Sequence, residues 1–349
     1  MSRNTPHHRQ PAGKICPNPG RSAKFSRVNE LSVVFAAVLP VMTIMVVGFW
    51  VRRLGWLTAE ADQSLLRLCV NLLLPALIFE SVLGNPALQR PENLILPPLV
   101  AIVTVLAGIG ISGLASRYAG LDSPAARRTF ALTTGLQNYG YIPLPLCQML
   151  FDPGTVGVLL VHNVGVELTL WTVGVRVLSG RQGRPNLRQI FSPPLVVLLL
   201  ALLLNIIPAN AVPAQVLATG RVVMTAVHWL GQCAIPLALL MIGAMIADHL
   251  SELHGGRLAR VITTAMAVRL LIMPILFLAL ARCLPCSVEL KRVIVVQAAM
   301  ASAVLPVVLA KHYGGDTRTA LQVILGTSAA GLITIPLWIR LGGKIVGLW

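Results

Sequence analysis

Charge is what this chain has least of. Charged residues make up 11% of its 349 residues and hydrophobic ones 56%, and its mean hydropathy is +0.78. No soluble domain of that size has such a composition, so the chain reads as a polytopic membrane protein. Ten apolar segments of about 20 residues use roughly 200 positions. That leaves short loops and no room for a soluble catalytic domain. A P-loop, an HExxH pair and a nucleophile–base motif are all missing, which removes support for ATP-driven transport and for hydrolysis. Of the six cysteines, Cys283 and Cys286 form one CxxC with no second ligand pair, and that is no basis for a metal or redox centre. Cys69, Cys147 and Cys233 fall in apolar spans and read as small apolar residues. His249 and His254 lack metal-binding spacing, so neither metal nor resident cofactor is expected. A net charge of +16 would suggest nucleic acid in a soluble protein. Here the basic residues lie at segment ends and in the N-terminal tail, where they orient the chain in a bilayer, and no nucleic acid is expected.

Residues 1–30 form a basic tail without the apolar core of a signal peptide, and they read as disordered. The first span is Leu31–Val51 and the second Ser64–Gly84, with Pro75 and Glu80 inside it. The third, Leu94–Ser116, carries Gly108, Gly110 and Gly113, as close helix packing in lipid favours. The fourth, Thr129–Phe151, is interrupted. The fifth, Thr155–Leu178, holds His162, Asn163 and Glu167, and a basic linker follows over 179–190. The sixth is Ile190–Ile207. Residues 208–229 are less apolar and are expected along the interface. The seventh span is Leu230–Ala247, and the eighth, Leu258–Leu280, has Arg269 near its middle. The ninth, Arg292–Ala310, is interrupted around Ser302 and Pro306, and the tenth is Ala320–Leu341.

The interruption in the fourth span carries the chemistry. Pro143 and Pro145 lack an N–H, and each ring crowds the preceding turn. Gly140 adds backbone freedom. Opened backbone at membrane depth is tolerated only where protein buries it or where it lines a wet cavity. Gln137, Asn138, Tyr139 and Tyr141 flank the opening, so the stretch reads as half of a solute site. Its partner is the ninth span. Pro75 and Pro236 stand 161 residues apart, as do Pro145 and Pro306, and Gly154 and Gly315. Ser123 and Ser287 are 164 apart, which predicts three extra residues in the first half around the Gln-Asn-Tyr-Gly segment. Five spans per half, an odd number, make the two halves (31–178 and 191–349) an inverted repeat with its site near the midplane. Short-loop charges, 14 Lys and Arg on one side against seven on the other without the tail, place both termini outside.

The motifs together resemble a bacterial auxin efflux carrier, a family sharing its fold with bile acid–sodium symporters. They are Asn71 to Phe79, Gly135 to Leu146, Leu170 to Val175, Leu239 to Ala244, and Gln297 to Asp316. The resemblance implies ten helices in two inverted five-helix repeats. Spans 1, 2, 6 and 7 would form a scaffold, and the rest a transport domain with crossing spans 4 and 9 that moves like an elevator. It also implies an organic-anion substrate and a bacterial inner-membrane location with periplasmic termini. A homodimer through the scaffold helices is a further expectation. Asn138 falls on the family's polar crossing position and Pro143 on its break. The ninth span departs from the family pattern, because Ala301 follows Met300 where relatives carry proline.

Each candidate has an alternative. Gln137 and Asn138 either bind a carboxylate through amide N–H groups or only tie up freed backbone. Ser302 and Gln297 are their partners in the ninth span. Arg269 either pairs with an anionic substrate or forms an ion pair with Glu80 or Glu167. Glu80, Glu167 and His162 are candidates for proton coupling, so the coupling ion is H+ or Na+. The reading is a secondary transporter for a small mono- or dicarboxylate. Its rivals are a sodium-coupled symporter of the bile-acid type and a membrane sensor that binds the ligand without moving it.

Overall fold

The computed structural model describes residues 27–180, 191–206, 214–250 and 258–348, without the side chains of 27–31, 214–219 and 221. The basic tail up to residue 26, Arg181, Arg184 and Arg188 of the linker, His254 and Arg257 lie outside the described residues.

Every regular element is a helix among the described residues. In order they are α1 (Arg27–Arg53), α2 (Ala59–Val82), α3 (Glu92–Ala115), α4 (Pro124–Gly135), α5 (Pro143–Leu150) and α6 (Pro153–Ser179). Then come α7 (Pro193–Leu204), α8 (Ala214–His249), α9 (Leu258–Cys283), α10 (Val288–Ala299), α11 (Leu305–His312) and α12 (Thr317–Val346). Seven of the described helices are long and apolar enough to cross a membrane. This is a multi-pass membrane protein.

Local chemistry sets the ends of these helices. Ser123, Asp152, Ser287 and Asp316 each accept the N–H three residues on, at 3.0, 3.0, 3.2 and 3.2 Å. That satisfies one otherwise orphaned donor per helix start. In α2 and α9 a proline inside the span follows a widened turn, whereas Pro40, Pro97, Pro98, Pro236 and Pro336 sit in continuous α-helix. In α2 a π turn, Cys69–Leu73, immediately precedes Pro75, and in α9 another, Val268–Ile272, precedes Pro274.

Three expectations change. Residues 214–229 do not lie apart along the interface; they continue into α8, a single helix of 36 residues. At 1.5 Å per residue that is about 54 Å, longer than a hydrocarbon core of about 30 Å. The apolar pattern resumes at Val222, and nothing between Ala214 and Leu230 breaks the helix. Of the three glycines in α3, only Gly108 makes a close approach: a Cβ there would lie 2.4 Å from the carbonyl oxygen of Gly135. Gly110 faces open space and Gly113 meets only the Ala131 side chain at 3.8 Å. The third change concerns the two interruptions. The first contains residues 136–142 and the second residues 300–304, so the first half is longer there by two residues, not three. The second half regains two in its next turn, between His312 and Thr317, and the capping pair Asp152 and Asp316 returns to the 164-residue spacing of Ser123 and Ser287. Gly154 and Gly315 are therefore not equivalent, since one lies inside α6 and the other ahead of the Asp316 cap.

The helices pack in neighbouring groups that are joined where α1 meets α12 and α5. α8 packs along α1 and α2, and α7 along α2. α3 packs on α4 and α6, while α12 packs on α4, α9 and α10. Arg52 of α1 ties the first group at one end by ion pairs to Asp62 of α2 and Asp248 of α8.

Candidate functional site

The four short helices α4, α5, α10 and α11 occupy the two interrupted stretches expected as the fourth and ninth spans. Each leading piece has 12 residues and each trailing piece eight. Pro143 and Pro145 sit in the first turn of α5, and Pro306 in that of α11, where a missing N–H leaves no intrahelical bond unmade. The prolines therefore start the trailing helices as well as barring a continuous one.

Between the pieces the two unwound backbones run antiparallel past each other. The N–H of Asn138 donates to the Ala301 carbonyl at 2.8 Å, and that of Ala303 to the Leu136 carbonyl at 2.9 Å, which makes Gln137 and Ser302 a bridge pair. Each opened strand supplies the partners that the other lacks, and this makes non-helical backbone tolerable at membrane depth. Gln137, Asn138, Met300, Ala301 and Ser302 are all buried.

The side chains at the crossing are left less satisfied than its backbone. Neither polar atom of the Gln137 amide has a protein hydrogen-bond partner, nor does the Ser302 hydroxyl or the Gln297 amide oxygen; on α6, the buried His162 Nε2 also lacks one. The Gln297 amide nitrogen donates to the Tyr139 carbonyl at 3.2 Å, and the Ser302 N–H to the Thr327 hydroxyl at 3.3 Å. A buried polar group without a partner costs about 1–3 kcal/mol, so a set of them at one place marks a site for a polar ligand or water.

The structure reassigns several predicted pairings. Arg269 is fully buried and touches neither Glu80 nor Glu167. Its Nε donates to the Met300 carbonyl at 3.0 Å, its guanidinium carbon lies 5.6 Å from the Phe277 ring centre, and both terminal nitrogens lack a protein partner. The predicted ion pair fails because the π turn of α9 faces α3, α4 and α12 and not the helices that carry those carboxylates. Glu167 accepts from the Tyr139 hydroxyl at 2.6 Å and the Trp171 indole N–H at 2.7 Å, so both its oxygens are held by neutral donors. No hydrogen bond joins it to His162, whose Nδ1 lies 3.5 Å from the Asn163 side chain. Glu80 is elsewhere, paired at 2.5 Å with His228 of α8. It borders a cavity of about 310 Å³ between α2 and α8 on one side and α5 and α6 on the other, lined also by Leu77, Gln148, Phe151, Val156 and Gln232. Tyr141 and Gly140 are partly exposed beside the crossing. Sequence reasoning missed His228, Trp171 and Thr327 as site neighbours. His228 stood in the segment assigned to the interface, and its only signal was a titratable residue between apolar ones. Among the described residues, no group of His, Cys, Asp and Glu is large enough to hold a metal ion.

Interrupted helices that pair inside an all-helical membrane protein are the architecture of membrane transport proteins. The family model described as membrane transport protein matches the chain twice, over residues 33–187 and 183–339. The chain belongs to that family, the auxin efflux carriers, and is a transporter, not an enzyme. It is similar to an uncharacterized transporter of Methanothermobacter thermautotrophicus, 28% identical over 306 residues, spanning 86% of this chain and 96% of the relative. An uncharacterized transporter of Methanocaldococcus jannaschii is 23% identical over 308 residues, with the same shares covered.

Proposed function

We propose that the protein is a secondary transporter that carries a small organic anion, a mono- or dicarboxylate, across the bacterial inner membrane by elevator-like alternating access. The observation that carries this is the antiparallel pairing of the two broken spans around Gln137 and Ser302, with unpartnered buried polar groups at the point of contact. Gln137, Asn138, Tyr139 and Tyr141 from one break, Ser302 and Gln297 from the other, and Arg269 behind them form the substrate site. Gly140, Pro143, Pro145 and Pro306 keep both breaks open.

In this reading the chain has ten spans in two inverted repeats, divided near the linker at 179–190. Support comes from the double family match, the equal lengths of the half-helices and the common spacing of the helix caps. The group α1, α2, α7 and α8 is the scaffold and the site of a homodimer contact, while the remaining helices move. The termini are periplasmic. H+ is the coupling ion, taken up at Glu167, because that carboxylate faces no cation and is hydrogen-bonded through Tyr139 to the break itself. Na+ coupling is the alternative that the same assay separates.

The test is flux of labelled malonate, malate and an indole carboxylate into proteoliposomes, with and without sodium and a pH gradient. We expect saturable flux of at least one of them, lost in a folded Asn138→Ala protein. Unchanged flux in that variant removes the crossing from the substrate path. Tight binding without flux makes the protein a sensor.

A further inference from the structure

Among the described residues, Arg269 is the only lysine or arginine in the buried class. Its guanidinium is half used. Nε caps the Met300 carbonyl at the end of α10, favourable for a cation beside a helix C-terminus, and the ring of Phe277 covers one face. The outer edge, with both terminal nitrogens, meets no protein acceptor. Met300 directly precedes Ala301, whose carbonyl closes the bridge to Asn138, so the free edge belongs to the crossing. A planar fork of N–H donors matches one carboxylate, which it can grip with two parallel hydrogen bonds.

Every other lysine or arginine whose side chain is described is partly or fully exposed, so none shares the dry surroundings of Arg269. Where α3 meets α4, Gly108 and Gly135 bring the backbones together with no space for a side chain. The other ionisable group tied to the break is Glu167, which is negative when ionised and would repel further negative charge. Burying an ion without a full counter-charge costs several kcal/mol, and a ligand's second carboxylate would be met only by the partial charges at the starts of α5 and α11.

We infer that the free edge of Arg269 makes the crossing selective for ligands with one negative charge, so that a dicarboxylic acid binds in its singly ionised form. This rests on the reading that the crossing is the substrate site, and it names Arg269 as the residue that sets the charge.

The test compares malonate, monomethyl malonate and dimethyl malonate at neutral pH as ligands that raise the Tm of the purified protein. Bromide against sulfate repeats the comparison without a carbon skeleton. Monomethyl malonate is expected to half-saturate at a concentration at least about tenfold below malonate, bromide to outperform sulfate, and the diester to do nothing. Arg269→Gln should lose both preferences, while Arg269→Lys keeps them with weaker binding. Equal half-saturation by malonate and its monoester overturns the inference. So does an Arg269→Gln protein of unchanged ligand-free Tm that keeps the preference, or a wild type that none of the anions stabilises. The two readings fail separately. If Asn138→Ala transports normally while Arg269→Gln loses charge selection, the crossing lies off the transport path and the proposed substrate site fails, while charge-selective anion binding at Arg269 stands. If flux is lost in Asn138→Ala while Arg269→Gln keeps its selection, the reverse holds.

Discussion

Glu167 shows what a carboxylate inside a span does when no cation reaches it. The Tyr139 hydroxyl and the Trp171 indole each donate to a different oxygen, which suits the ionised form because it accepts at both. Protonation turns one oxygen into a donor, and only the Tyr139 hydroxyl can accept from it, so the Glu167–Tyr139 hydrogen bond must reverse while the indole keeps donating to the other oxygen. Tyr139 is next to Asn138 in the chain and accepts from Gln297 through its carbonyl, so a proton on Glu167 is felt at the crossing. In Glu167→Gln an amide N–H₂ replaces one acceptor and faces a donor. We expect flux that a pH gradient accelerates in the wild type to persist at a lower rate in Glu167→Gln and no longer to respond to the gradient. Proteoliposome flux at matched and unmatched pH measures this. A variant that keeps full gradient dependence ends the proton role of Glu167.

At the scale of the helix, close contact depends on what is absent from the contact line. α1 and α8 approach so tightly that a Cβ on Gly243 would lie 1.9 Å from the Met45 carbonyl oxygen, and one on Gly48 would lie 2.2 Å from that of Leu240. Lipid tails give helices little hydrophobic reason to associate, so such contact is a large part of what holds them. Gly243→Ala should force the pair apart and cost about 1–3 kcal/mol, read as a lower Tm in detergent. Because α1 and α8 lie in the group assigned to the scaffold, the loss should appear in stability and leave substrate half-saturation unchanged. The interrupted elements follow a different rule. Their ends are held by caps and by each other's backbone, so the bridge at Gln137 and Ser302 needs no particular side chain and leaves the side chains free for a ligand.

Across the whole molecule, the two halves of the chain exchange ties. Asp152, at the turn after α5, is bonded to Arg292 of α10, and the N–H of Asp316, at the turn after α11, donates to the Thr129 hydroxyl of α4 at 2.9 Å. Burial alone would push the Asp152 carboxyl up. The Thr155 N–H, with the hydrogen bond and charge of Arg292, outweighs it and holds the group below its ordinary 3.8. A carboxyl with a depressed folded value contributes stability at neutral pH that is lost as pH falls through that value. Asp152→Asn should therefore lower Tm at neutral pH and flatten its decline as pH falls below about 4, so that the two proteins converge only once pH has passed below the depressed folded value. The group is half-exposed, so added salt should shrink the difference. Parallel curves for variant and wild type would show that the tie contributes nothing.

Membrane class, the number and place of the interruptions and the polar character of their flanks were legible in the sequence. They follow from local properties: hydropathy over a span, the missing N–H of Pro143, Pro145 and Pro306, and amides where apolar residues belong. Partner choice was not legible. Gln137 opposite Ser302, Arg269 on the Met300 carbonyl in place of Glu80 or Glu167, and His228 on Glu80 were all decided by tertiary packing. Which side chains meet depends on the rotation and depth of helices far apart in sequence, by 31 residues for Arg269 and Met300 and by 148 for Glu80 and His228. A shift of one residue turns an α-helical side chain by about 100°, which is enough to exchange one partner for another.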